Sequence, residues 1–184
     1  MDKHSKRWGL SIALLGLLWA ASALAAERFP WKFGMTPAEV ASVTAFGPYK
    51  AFRNGDLETY KGVFNGKEEN FQFFFGEQKK LSRIGIYVYE GQDLQAASKK
   101  WLELHGTIAK MFGPVETPGN TASADASSGD AFLAQAIRIV EDSGKTQMAP
   151  VNQPDDAHVV SSLMHGDIQG KDWYYVVIYF DAPK

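Results

Sequence analysis

The sequence contains no cysteine. This absence excludes disulfide bonds, thiolate nucleophiles, thiolate-ligated metals and the lipid-bearing cysteine of a bacterial lipoprotein. Stability must therefore come from a hydrophobic core, and a chain of 184 residues is long enough to build one. The length predicts one structured domain.

A hydrophobic run of membrane-spanning length is also lacking. The apolar run over residues 10–18 is shorter than the ~20 residues that a spanning helix needs. It follows a basic N-terminus and precedes Ala23-Leu24-Ala25, a pattern typical of a cleavable secretory signal. We therefore predict a signal peptide over residues 1–25, cleaved after Ala25 or Ala26. The mature protein, residues 26–184, would be a free periplasmic or secreted species without a lipid or membrane anchor.

Positive charge is not in excess. The chain carries 19 Lys and Arg against 21 Asp and Glu, and the predicted signal removes more basic residues than acidic ones. Nucleic acid and anionic lipid are poor candidates as partners, because both need a clustered basic face.

Motifs of common catalytic sites are missing as well. The sequence has no G-x-S-x-G elbow, no P-loop and no G-x-G-x-x-G. We accordingly predict no catalytic residue and no cofactor, which favours a protein that is not an enzyme.

Two helices have clear boundaries in the sequence. Thr36 and Glu39 form a capping box with Pro37 at the first helical position, so a short helix begins there. Asp93 caps a longer helix that ends at Gly113-Pro114. Apolar residues recur in the longer helix at spacings of three and four, which predicts a buried stripe: Leu94, Ala97, Trp101, Leu104, Ile108 and Met111.

Strand patterns occupy much of the remaining chain. Residues 57–64 and 69–75 flank Asn65-Gly66, a strong hairpin signal, and a third strand over 81–89 completes a meander. Strands over 158–164 and 173–180 follow. The chain is thus predicted to be α+β, with an antiparallel sheet of five or six strands and helices packed on one face.

Two segments are less determined. Residues 132–141 fit either a helix or a strand, and we favour a helix because Phe132, Ala136 and Val140 form a stripe. Residues 116–129 are rich in Thr, Ser, Gly and Ala, which predicts a flexible surface loop.

Short echoes between the two halves of the chain suggest an internal repeat. Ala45-Phe46-Gly47-Pro48-Tyr49 is matched by Met111-Phe112-Gly113-Pro114-Val115, and both sequences follow helices. Echoes this short also arise by chance, so duplication and coincidence are both left open.

A resemblance can be named on the first half of the chain. Its pattern consists of Gly34-Met35-Thr36 with Val40, Gly47-Pro48, Tyr60, Phe71-Gln72-Phe73, and Leu81 with Ile84. This pattern resembles the helix-plus-sheet unit of the small outer-membrane-assembly lipoproteins and of the tandem-repeat β-lactamase inhibitor proteins. The resemblance implies a sheet covered on one face by helices and a role in binding other proteins. The chain departs from both groups, since it lacks the lipid-bearing cysteine of the first and the disulfides of the second.

The alternation in residues 81–89 suggests a binding surface. Ile84, Ile86 and Val88 would face the helices, which leaves Arg83, Tyr87 and Tyr89 on the other face. Exposed aromatic side chains often mark interfaces. We expect this patch to bind another protein of the cell envelope.

Two alternative functions stay open. A small molecule would bind between the sheet and residues 116–129. A metal-dependent hydrolase would use His158, His165 and Asp167, residue types that bind divalent ions. However, His158 and His165 are an odd number of residues apart, so a strand would place them on opposite faces. His105, beside a stripe position of the longer helix, is expected to lie at the boundary of the core.

Overall fold

The computed structural model describes residues 29–120 and 129–183, and the chain from Trp31 onward forms one unit. Its helices are α1 (Pro37–Ala41), a 3₁₀ turn (Thr44–Phe46), α2 (Leu94–Phe112) and α3 (Gly129–Ser143). Its strands are β1 (Lys50–Ala51), β2 (Leu57–Phe64), β3 (Lys67–Phe75), β4 (Leu81–Gly91), β5 (Val115–Glu116), β6 (Lys145–Pro150), β7 (His158–Ile168) and β8 (Lys171–Asp181). The predicted signal peptide and residues 121–128 lie outside the described residues.

All eight described strands join one antiparallel sheet, in the order β1-β2-β3-β4-β8-β7-β6-β5. The α+β class and the antiparallel sheet are confirmed, but the predicted count of five or six strands is wrong. The prediction missed β1, β5 and β6. Two-residue strands are too short to show a period, and β6 mixes polar residues with a terminal proline, which concealed its alternation of buried and exposed positions.

Local signals placed the other boundaries well. Asn65 and Gly66 both have positive φ, 48° and 76°, and they connect β2 to β3 as predicted. The side chain of Asp93 accepts hydrogen bonds from the first turn of α2, and the capping box of α1 is present. Residues 132–141 are helical, as favoured. The strand predicted over residues 158–164 is longer than expected, because β7 runs to Ile168 and the chain reverses at Gln169 and Gly170.

One face of the sheet holds the hydrophobic core. Register places Phe73, Ile84, Phe180 and Val159 side by side across four neighbouring strands, and all four are buried. Trp31 packs 4.8 Å from Phe73, measured between ring centroids. On the same face, the ring of Phe112 from α2 lies 6.5 Å from that of Phe180. The helices therefore pack on this side, which we call the helix face.

The opposite side of the sheet, here called the open face, follows from the same register. Asn70, Tyr87, Val177 and Ser162 form a row across β3, β4, β8 and β7. By alternation along the strands, these side chains point away from the face on which Trp31 and Phe112 pack. Each helix in residues 29–120 and 129–183 is too short or too polar to cross a membrane.

Candidate functional site

A break in the pairing of β4 with β8 separates Tyr87 from Tyr89. Tyr87 pairs with Val177 and Tyr89 pairs with Val176, so Val88 is an extra residue on β4. Such a β-bulge reverses the alternation beyond it. The expectation that Tyr87 and Tyr89 share a face is therefore wrong: Tyr87 lies on the open face and Tyr89 lies on the helix face.

Tyr89 instead supports the start of α2. Its hydroxyl donates to the carbonyl oxygen of Asp93 at 3.0 Å and accepts from the Asp93 backbone N–H at 3.2 Å. These bonds tie the end of β4 to the residue that caps the helix. The role of Tyr89 in this structure is to hold that connection, which leaves Arg83 and Tyr87 as the predicted patch residues that share the open face.

Two tyrosines that sequence reasoning did not single out for this patch join Tyr87. The rings of Tyr175 and Tyr179 lie 6.1 and 6.5 Å from the Tyr87 ring, both nearly perpendicular to it. The hydroxyl oxygens of Tyr87 and Tyr179 are 3.5 Å apart. Edge-to-face packing of this kind stabilises aromatic clusters. We refer to Tyr87, Tyr175 and Tyr179 as the tyrosine cluster.

Burial around the cluster keeps its central hydroxyl protonated. The pKa of Tyr87 is raised far above the ordinary tyrosine value, mainly because burial disfavours the phenolate and also because the nearby Tyr179 hydroxyl hydrogen-bonds to it. The pKa of Tyr175 is raised for the same leading reason. These hydroxyl groups therefore stay neutral through the physiological range and serve as hydrogen-bonding groups.

Gly85 makes room for one edge of the cluster. It lies opposite Tyr179 across the β4–β8 pair, and a Cβ atom there would come within 3.0 Å of the Tyr179 ring and 3.1 Å of the Phe74 ring. The Arg83 guanidinium carbon lies 4.8 Å from the centroid of the same Tyr179 ring. Arg83 also pairs with Asp181 through two hydrogen bonds, the longer being 3.0 Å. Arg83 is thus held between a carboxylate and an aromatic ring.

A shallow depression of about 290 Å³ opens beside the cluster. Its lining consists of the three cluster tyrosines with Gln72, Glu90 and Met164. Glu90 accepts a hydrogen bond of 3.0 Å from Nδ2 of Asn70, a residue only 4% exposed. The depression therefore offers aromatic ring surface, one carboxylate and a flexible thioether.

The predicted metal ligands are not brought together. His158 and Asp181 are paired across β7 and β8, and His165 is paired with Tyr174 in the same uninterrupted register. The seven-residue separation along β7 spans roughly 23 Å, and the odd spacing places the two histidines on opposite faces, as expected. Asp167 accepts from the backbone N–H of Gly170 in the turn. The structure also holds no three-residue group of metal-ligating types within residues 29–120 and 129–183.

The described ends of the predicted loop are structured. Glu116 belongs to β5 and Gly129 opens α3. Between them, Asn120 is buried and its side-chain amide donates to the Phe132 carbonyl at 3.0 Å. This bond fastens the first part of the segment to α3. The centre of the proposed small-molecule site, residues 121–128, lies outside the described residues.

Several components of this surface had only weak sequence signals. Glu90 directly follows the strand predicted over residues 81–89, and Asn70 is a polar residue in a strand rich in phenylalanine. The sequence shows Tyr175 and Tyr179 at alternate positions of β8. Their contact with Tyr87, however, depends on the pairing of β8 with β4. A search for tyrosines at alternate positions in both candidate central strands would have found the cluster.

The chain matches no family model, no curated protein and no solved structure. The resemblance to the outer-membrane-assembly lipoproteins and the β-lactamase inhibitors stays a prediction.

Proposed function

We propose that this chain is a non-catalytic protein-binding module of the cell envelope that contacts its partner through the open face of the sheet. The observation that carries the proposal is the tyrosine cluster: three large amphipathic side chains on the side of the sheet opposite the helices. Tyrosine is enriched at protein interfaces because its ring supplies apolar contact area while its hydroxyl still finds hydrogen-bond partners.

The surroundings of the cluster support the same function. Tyr60, on β2, is 60% exposed, and its pKa is raised by burial first and then by the negative charges of Glu58 and Glu90. Two ion pairs lie at the periphery of the open face, Lys61–Glu68 on one side and Arg83–Asp181 on the other. An aromatic centre with a charged periphery is the usual composition of a protein interface.

The location in the envelope is proposed from the N-terminal sequence. Residues 1–25 carry the pattern of a cleavable export signal. The partner would accordingly be another exported protein or the exposed domain of an envelope protein.

The tandem repeat suggested by the sequence is also proposed here. Strands β1 to β4 and strands β5 to β8 occur in mirrored order on either side of the β4–β8 pair, as two related units joined at that pair would be. Coexpression of residues 29–91 with residues 92–183 tests this idea. Reassembly into a folded complex supports two units, and the failure of both fragments to fold together counts against them.

Site-specific photo-crosslinking in the native host tests the binding proposal. A benzophenone amino acid is placed at Tyr60 or Tyr175 on the open face, or at Lys99 or Glu141, exposed residues of α2 and α3. We expect a discrete crosslinked product of one size from the open-face positions and none from the helix positions. Crosslinks from the helix positions alone, or none from any position, would refute the proposal.

Substitutions then separate the cluster from the bulk of the fold. Tyr87→Ala and Tyr175→Ala should reduce the crosslink formed from Tyr60, because they remove aromatic surface from the contact. Tyr89→Phe is the matched control, since Tyr89 lies on the helix face. An equal loss in all three variants would indicate damage to the fold and would argue against an open-face contact.

A further inference from the structure

The carboxylate in the depression differs from its neighbours on the open face. Glu58 pairs with Lys50 at 2.9 Å, Glu68 pairs with Lys61 at 2.7 Å, and Asp181 pairs with Arg83. Glu90 has no cationic partner among the residues that the structure describes, and its hydrogen-bond donor is the neutral amide of Asn70. A negative charge is therefore left without a counter-charge beside the tyrosine cluster.

Tyrosine side chains lie beside the negative charge of Glu90. Tyr60, Tyr87 and Tyr175 each have a pKa raised first by burial, and the negative charge of Glu90 contributes further in all three. Glu90 lines the same depression as the rings of Tyr87, Tyr175 and Tyr179. Aromatic faces next to a carboxylate form a favourable environment for a cation, because the ring quadrupole and the carboxylate both attract positive charge.

The side chain of Asn70 contains an acceptor that lacks a donor. A carboxylate can only accept from the amide, so the bond to Glu90 fixes which end of the Asn70 side chain is nitrogen. The Oδ1 atom is buried and has no hydrogen-bond partner in the described part of the chain. Buried acceptors of this kind usually receive a donor, so the neighbourhood is short of N–H groups.

Elsewhere on the open face, a cation already contacts both a carboxylate and an aromatic ring. The Arg83 guanidinium lies 4.8 Å from the centre of the Tyr179 ring and pairs with Asp181. Glu90 with Tyr87 and Tyr175 repeats the combination of carboxylate and ring, but without a guanidinium. The nearest basic residue in the same row, Lys145, lies on β6, three strand spacings or roughly 14 Å away.

We infer that the depression lined by Gln72, Tyr87, Glu90, Met164, Tyr175 and Tyr179 receives an arginine or lysine side chain of the partner protein. This inference rests on the proposed function and names the chemistry of the partner's contact. The alkyl part of the basic side chain would lie on Met164 and the rings. Its charged end would meet Glu90 in a charge-assisted hydrogen bond.

An isosteric pair of probes tests the inference on the complete mature chain. Nα-acetyl-arginine amide and Nα-acetyl-citrulline amide have nearly the same shape, but only the first is charged. We expect the arginine probe to shift the backbone amide resonances of Tyr87, Glu90 and Tyr175 in a saturable manner. Citrulline should bind at least about tenfold more weakly. Equal shifts with both probes would overturn the inference.

Two carboxylate variants provide the matched comparison. Glu90→Gln keeps an acceptor for Asn70 but removes the charge, and it should weaken the arginine probe about tenfold. Glu68→Gln removes a charge from the same face outside the depression and should leave binding unchanged. Both variants should retain the wild-type melting temperature, because both positions are exposed. Unchanged affinity in Glu90→Gln would contradict a cation site.

Crosslinking separates this inference from the proposed function. If a partner is crosslinked from Tyr60 and the product is undiminished in Glu90→Gln, the protein-binding function stands and the basic-side-chain inference fails. If the arginine probe binds but neither open-face position crosslinks to a protein, the cation site stands. In that case the proposed function is refuted, and the occupant is a free cationic molecule. Loss of the crosslink in Glu90→Gln, with retention in Glu141→Gln on α3, supports both.

Discussion

Gly62 on β2 lies directly against the ring of Phe71 on β3: a Cβ atom at Gly62 would come within 2.1 Å of ring atom Cδ2. Phe71 is fully buried and lies beside Trp31, so the ring has little freedom to move away. Gly62→Ala should therefore lower the free energy of unfolding by about 3 kcal/mol. Urea denaturation followed by tryptophan fluorescence measures the change.

Gly106→Ala is the control for this substitution. Gly106 is an exposed residue of α2, and a Cβ atom there would meet nothing within 4 Å. Alanine favours the helix over glycine, so this variant should gain about 0.5–1 kcal/mol. Equal stability of the Gly62→Ala and Gly106→Ala proteins would show that the close contact with Phe71 is not a constraint.

Removal of a buried hydroxyl should not weaken the core. Ser161 is fully buried on β7, and its Oγ atom has no hydrogen-bond partner in the described part of the structure. Ser161→Ala should leave the free energy of unfolding unchanged or raise it by up to about 1 kcal/mol, because an unpaired buried hydroxyl is costly.

Thr59→Val provides the comparison, since it removes a hydroxyl that does have a partner. The Thr59 hydroxyl donates to the carbonyl oxygen of Phe46 and thereby fastens the 3₁₀ turn to β2. Its loss should cost about 1–2 kcal/mol. Destabilisation of Ser161→Ala by as much as Thr59→Val would mean that the Ser161 hydroxyl does form a stabilising bond.

Acid should weaken the fold through His105. The His105 ring packs 5.4 Å from the Phe132 ring, and burial lowers its pKa below the ordinary value of 6.5. The unfolded chain therefore binds this proton at a higher pH than the folded chain does. The stability that neutral His105 contributes is fully present above pH 6.5. It is lost as the pH falls from that value through the lower pKa of His105 in the folded protein.

Unfolding measured from pH 7.5 to 5.5 tests this assignment. We expect the free energy of unfolding to fall with pH in the wild type and to fall less steeply in His105→Asn, which cannot take up the proton. An identical slope in both proteins would assign the pH dependence to another group.

Export should produce a shortened protein. N-terminal sequencing of the protein recovered from the native host is expected to begin at Ala26 or Glu27. Leucine at both Ala25 and Ala26 should block processing, because signal peptidases require small residues there, whereas Ala21→Leu should be processed normally. Recovery of the wild type with Met1 intact would disprove the signal peptide.

Sequence reasoning succeeded where the structure depends on neighbouring residues. The turn at Asn65-Gly66 and the cap at Asp93 are formed within a few residues, so their chemistry is visible in the sequence. The apolar stripe of α2 was also correct at Ala97, Trp101, Leu104 and Ile108, while Met111 is 39% exposed at the end of the helix.

The open face was predicted less well because it depends on distant pairing. The alternation of β4 was extended through Tyr89 on the assumption of a regular strand, and the bulge at Val88 reversed it. Bulges arise from the fit between two strands, and residues 81–89 carry no sign of one. Likewise, Tyr175 and Tyr179 reach Tyr87 only because β8 inserts next to β4, a contact between segments about ninety residues apart.

The central position of β8 sets the timing of assembly. It is the last of the eight described strands in chain order, yet it joins the two halves of the sheet. Until it is synthesised, the inward edges of β4 and β7 have no neighbour, and the apolar residues Ile84, Ile86 and Val159 lack their cover on that side. The sheet can therefore close only once residue 181 is available, and until then these two strand edges and apolar side chains are open to association with other chains.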